Sequence, residues 1–159
     1  MGTKNTDLVA NFEASPSVAN SATELHGVVR TAHGTVELAS GDSDDNDIVM
    51  LAPIPSKAAV PSLFIGSDTL GGSCTFNVGI YTSAGVVKDE DVFASLVADA
   101  AGMADVRFEA ANIDTAGKKM WDLAGDSSDP GGYYYIAATM AADGQTAGTM
   151  SWNISYVVN

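Results

Sequence analysis

Hydrophobic and polar residues alternate most cleanly from Thr149 to Val158. Met150, Trp152, Ile154, Tyr156 and Val158 fall on one side, and Thr149, Ser151, Asn153 and Ser155 on the other. A period of two marks a strand with one face in a core and the other toward water or a partner. Cys74, Phe76, Val78 and Ile80 repeat the pattern against Thr75, Asn77 and Gly79. The expected core is therefore built on Cys74, Phe76, Val78, Ile80, Met150, Trp152, Ile154 and Tyr156. Less regular strands are expected over Leu25 to Leu38, Ile48 to Ala52, Ser62 to Ser67, Lys119 to Ala124 and Tyr133 to Met140. Turn signals separate them: Gly41-Asp42, Pro53 to Pro55, Gly71-Gly72, Gly125-Asp126, Pro130-Gly131-Gly132 and Asp143-Gly144.

Two segments depart from this rhythm. Asp89, Glu90 and Asp91 precede Val92, Phe93, Leu96, Val97 and Ala100, an apolar set at helical spacing. Acidic residues at its start and Gly102 after it predict one short helix over Asp89 to Ala100, covering an end or edge of the sheets. Residues 1–23 are rich in Asn, Ser, Thr and Ala and hold no period. They read as an extended arm, with Leu8, Val9 and Phe12 as an apolar patch able to dock on a neighbour. The pattern as a whole predicts an all-β protein: an antiparallel, jelly-roll-like β-sandwich over residues 24–159, one short helix, and an arm over 1–23.

Composition narrows the partners. Seven Lys and Arg stand against twenty Asp and Glu, a net charge of −13. Nucleic-acid binders neutralise phosphates with basic side chains, so neither nucleic acid nor an anionic membrane is an expected partner. Cys74 is the single cysteine, which rules out an internal disulfide. The first residues lack the apolar stretch of a secretory signal, so synthesis in a cytoplasm-like compartment is expected.

No motif points to catalysis or to a cofactor. His26 and His33 are seven residues apart in one expected strand, on opposite faces, and make poor co-ligands. Gly71-Gly72-Ser73-Cys74-Thr75 approaches a nucleophile elbow, but Thr75 stands where its last glycine belongs. Cys74 shares a face with Phe76 and Val78, where a thiol stays protonated and inert. No phosphate loop occurs. Asp42, Asp44 and Asn46 open like a calcium loop and offer at most weak calcium binding, because Asp47 replaces the glycine and Pro53 the closing glutamate. Trp121, Trp152 and Tyr133 to Tyr135 have the chemistry of a sugar platform but serve more often as core.

The stretch Leu25 to Leu38, with Asp47 to Pro55 and the glycine-rich strand pair through Gly79, resembles small structural proteins of tailed bacteriophages. The likeness spans about residues 24–82 and the last strand. It implies a jelly-roll-like sandwich that decorates or cements the head shell, bound to the major capsid protein, and it carries over no individual functional residue. Packaged DNA lies inside a capsid, so a subunit of charge −13 belongs on the outside. A homo-oligomer, dimer or trimer, is expected of such a protein. The alternatives are another virion part (a head–tail connector, a spike or a fibre-anchoring protein) and a carbohydrate-binding module.

Overall fold

The computed structural model describes residues 5–22, 24–99 and 102–158. Its strands form two antiparallel sheets. The first holds β1 (Val29–Leu38), β8 (Gly148–Val158), β3 (Ala58–Ser67) and β6 (Ala104–Asp105), in that order. The second holds β2 (Ile48–Pro55), β7 (Tyr133–Met140), β4 (Thr75–Tyr81) and β5 (Val87–Ala98). Paired strands nest in sequence: β4 with β5, β3 with β6, β2 with β7, β1 with β8. The chain is thus one long hairpin rolled up until β8 also meets β3 and β7 also meets β4. That is the topology of a jelly roll.

The core lies between the sheets. Cys74, Phe76, Val78, Ile80, Met150 and Ile154 are buried as expected, while Trp152 and Tyr156 are half-buried against the cluster. Trp152 faces Gly34 across the β1–β8 ladder, and a Cβ there would stand 2.6 Å from its Cζ2. The glycine leaves room for the indole. Met120, Phe93, Leu63 and Ile136 are buried with them.

The helix expected over Asp89 to Ala100 does not form: Asp89 to Ala98 belong to strand β5, and Ala100 lies outside the described residues. Its register against β4 jumps, with Ile80 opposite Asp89, Val78 opposite Ala94 and Phe76 opposite Val97. Extra residues bulge out at each jump, so the inward positions lose their period of two. Gly79 sits under the larger bulge, where a Cβ would collide with the Asp89 and Glu90 carbonyls. Asn77 clamps both excursions: its amide donates to Glu90 (2.8 Å) and its carbonyl accepts from the Leu96 N–H (2.9 Å).

Three other expectations change. Lys119 to Ala124 is not a strand: it holds the single-turn helix α2 (Met120–Leu123), which buries Met120 and Leu123 three residues apart. β3 begins at Ala58, earlier than expected, because Pro61 falls at a bulge between Ala59 and Ser62. The arm is not extended throughout. Residues Asp7–Glu13 form α1, with the chain extended at Thr6 and Ala14 on either side.

Candidate interaction surfaces

The structure gathers Leu8, Val9 and Phe12 on α1. After the helix the chain doubles back, with the Val18 N–H donating to the Asn11 carbonyl at 3.0 Å. The Asn11 amide donates to the Asn20 carbonyl (2.9 Å), and the Asn20 amide to the Leu8 carbonyl oxygen (3.2 Å). This return leaves an apolar groove lined by Leu8, Val9, Phe12, Leu25 and His26. Leu8 is half-buried, but Phe12 is 71% exposed. An aromatic ring left in water beside a groove is a natural anchor for a partner.

The two outer faces of the sandwich differ. On the first sheet, Thr31, His33 and Thr35 of β1 pair with Ser155, Asn153 and Ser151 of β8, and Ser62 and Phe64 of β3 extend the first two rows. This face is small, polar and nearly uncharged. At one end Val157 is buried, because the chain at Ala22 and Gly27 lies against it. The second sheet exposes Ile48, Met50, Val86 and Val87, with the Gly85 turn beside Met50. Sequence reading passed over this apolar patch, although the alternation of Ile48 and Met50 with Val49 was its visible trace.

Carboxylates in and beside the acidic loop accept from its backbone. Asp42 accepts from the Ala39 N–H (2.9 Å), Asp47 from Asp44 (3.0 Å) and Asp143 from Asp45 (2.7 Å). Asn46 has a φ of 70° and its amide donates to Asp45. Among the described residues no group of three or more His, Cys, Asp or Glu side chains is placed to hold a metal ion. His26 precedes β1 with a φ of 63°, and His33 is exposed within β1, so the pair does not share one strand. Cys74 packs with its Sγ 3.9 Å from the Met140 Sδ. Burial, then Asp99 and Asp143, push its thiol up. Trp121 is half-buried against the core through α2, and Tyr134 is buried while Tyr133 is exposed, so these aromatics form no continuous platform.

At one end of the sandwich, Tyr134 donates its hydroxyl to Asp126, which also pairs with Lys88 at 2.8 Å. The hydrogen bonds from Lys88 and Tyr134 hold the Asp126 carboxyl below its usual range. A depressed carboxyl contributes stability that is present above the unfolded value and lost as pH falls through the folded one. Asp126→Asn is expected to lower the melting temperature at neutral pH. Its difference from the parent chain should close on acidification below about pH 4. Melting curves across that range check this, and a constant difference would count against it.

One residue that sequence gave no reason to single out is Arg107. It is fully buried. Its Nε donates to the Val60 carbonyl (2.6 Å) and its Nη2 to the Thr115 carbonyl (3.0 Å). The guanidinium lies over Phe93 and Phe108, 5.0 and 4.6 Å from their ring centres. Among the described residues no carboxylate forms a salt bridge with it. Its role is structural: it ties β3 and β5 to the loop before α2.

No family model matches the chain, and no curated protein matches it in sequence. Solved structures match its fold. A chain in the capsid of Ralstonia phage GP4 superposes with a TM-score of 0.57 at 17% identity, over 84% of this chain and 86% of that one. A chain in the cyanophage Pam1 capsid asymmetric unit gives 0.51 at 14% identity, over 84% and 86%. The class defined here is an antiparallel jelly-roll sandwich. More particularly, it is a jelly roll shared, nearly end to end, with chains of similar length in two phage capsids.

Proposed function

We propose that this protein is a phage virion component that binds the outer surface of the major capsid protein shell and stabilises the head as a decoration protein. The observation that carries the reading is reciprocal coverage by chains of phage capsids: the shared part is 84% of this chain and 86% of each of those. Two features of the chain support the finer statement. The net charge of −13 suits the outside of a DNA-filled head. The exposed Phe12 and the groove beside it suit attachment through the arm.

The test is to locate and count the protein in purified particles. A decoration protein is present at a stoichiometry tied to the shell lattice and lies outside it. A head–tail connector or spike is present in a few copies at one vertex. Removing residues 1–20 should leave the melting temperature of the free protein nearly unchanged, because α1 bonds within the arm and Ala22 and Gly27 keep Val157 covered. The same deletion should weaken binding to particles by about tenfold or more, as loss of an aromatic anchor does. Co-sedimentation with heads measures this, and undiminished binding would remove the arm from the docking surface.

A further inference from the structure

A sheet edge presents unpaired N–H and C=O groups, and proteins generally blunt such edges. Three of the four edges here are blunted. β6 is two residues long. β2 carries Pro53 and Pro55, which lack an N–H, and a register shift after Met50. β5 is broken by repeated bulges. β1 is different. It runs ten residues without proline, and its register with β8 is unbroken from Val29 to Leu38. Among the described residues, no backbone group of Val29–Leu38 hydrogen-bonds to anything but β8. About half of its N–H and C=O groups therefore point to open solvent.

We propose that this edge is a self-association surface, on which the β1 strands of two copies pair antiparallel about a two-fold axis and join their first sheets into one. The argument for a second copy as the occupant is electrostatic. Two chains of charge −13 repel, so they meet at least cost where the surface is neutral. From Val28 to Ser40 the only charged residues are Arg30 and Glu37, one of each sign, and β3 and β8 carry no charge at all. Val28 and Val29, which are 69% and 58% exposed at the start of the strand, gain cover from the far end of the partner strand.

Geometry restricts the register. Residues directly opposite each other must share a sheet face, so the axis passes through a residue and not between two, and the fullest overlap of Val29–Leu38 centres it on His33 or Gly34. Through Gly34, His33 faces Thr35 and Thr31 faces Glu37. Through His33, the two His33 side chains meet and Thr31 faces Thr35. Either arrangement places hydroxyl and imidazole groups together, with no pair of carboxylates in contact.

His33→Lys combined with Thr35→Lys sets lysine against lysine in both registers, and both positions are exposed on the monomer. Sedimentation velocity on the purified full chain across the micromolar range should show dimers. The double variant should associate at least about tenfold more weakly. Amide exchange along β1 of the parent chain, which requires no substitution, should slow as protein concentration rises. A parent chain that stays monomeric, a dimer that survives the two lysines, or a dimer without β1 protection would each overturn the proposal. The measurement uses no particles, so its outcome is independent of whether the protein decorates a shell.

Discussion

Arg107→Ala is expected to cost about 3–5 kcal/mol of folding stability, combining a large cavity with the loss of two hydrogen bonds to backbone carbonyls. Val60 and Thr115 each offer a backbone oxygen to the guanidinium; once the side chain is gone Thr115 keeps the Lys118 N–H (3.1 Å), while Val60 loses its Arg107 donor. Phe93 and Phe108 lose the group that lies over them. At this chain length a loss of that size lowers the melting temperature by roughly 10 °C. Arg107→Met separates the contributions: it refills the volume and removes the cost of burying a charge, but restores neither hydrogen bond to the Val60 and Thr115 carbonyls. It should lose less than the alanine variant, and chemical denaturation of the two decides the matter. Burial lowers the guanidinium to about 10, below its ordinary value. The charged form is thus disfavoured in the folded state, and stability gained from relieving it would appear only as pH rises above about 10. At neutral pH the Arg107 penalty is constant, so the variants should differ by the same amount from pH 6 to 8. A loss under about 1 kcal/mol would show that the loop before α2 repacks without this residue.

Heads without the protein should still assemble, yet release DNA at lower temperature or under milder osmotic shock. The reason is linkage. A ligand that binds only the closed shell stabilises it by an amount set by occupancy and affinity at each site. A lattice of sites must be vacated before the shell opens, so modest affinities multiply. Restoring purified protein should restore resistance and saturate at the lattice stoichiometry. Salt should weaken any rim ion pairs made by this acidic chain, while the contact through Leu8 and Phe12 should persist. The comparison is DNA release on heating from depleted and reconstituted heads. Equal release with the protein demonstrably bound would remove the stabilising role and favour a host-surface one.

The sandwich was legible where strands are regular. β8 and most of β4 keep an unbroken period of two, and their inward residues are those that the alternation selects. Legibility failed where register breaks. In β5 the apolar residues Val92, Phe93, Leu96 and Val97 mimic a helical face because bulges push Leu96 outward, with a φ of 54°, while Phe93 and Ala94 stay inside. In α2 the signal was too short: one turn contributes only Met120 and Leu123. The arm showed Leu8 and Phe12 four residues apart, but one such pair does not establish a period. Of the surfaces, Leu8, Val9 and Phe12 were visible as an apolar island in a polar stretch. The open edge of β1 was not, since an edge is defined by which strands lack neighbours. Arg107 was invisible for a similar reason, because Val60, which accepts from its Nε, is 47 residues away and no pattern links the two.

The nesting of strands also bears on when this chain folds. β8 is the shared neighbour of β1 and β3, so the first sheet has no centre until residues 148–158 have been made. The earliest strand must wait for the latest. Contacts of such long sequence separation fold slowly, on the scale of milliseconds to seconds. Until then β1 lacks its strand partner, and β3 has only the two-residue β6 beside it. The interval before β8 joins them is therefore the vulnerable one.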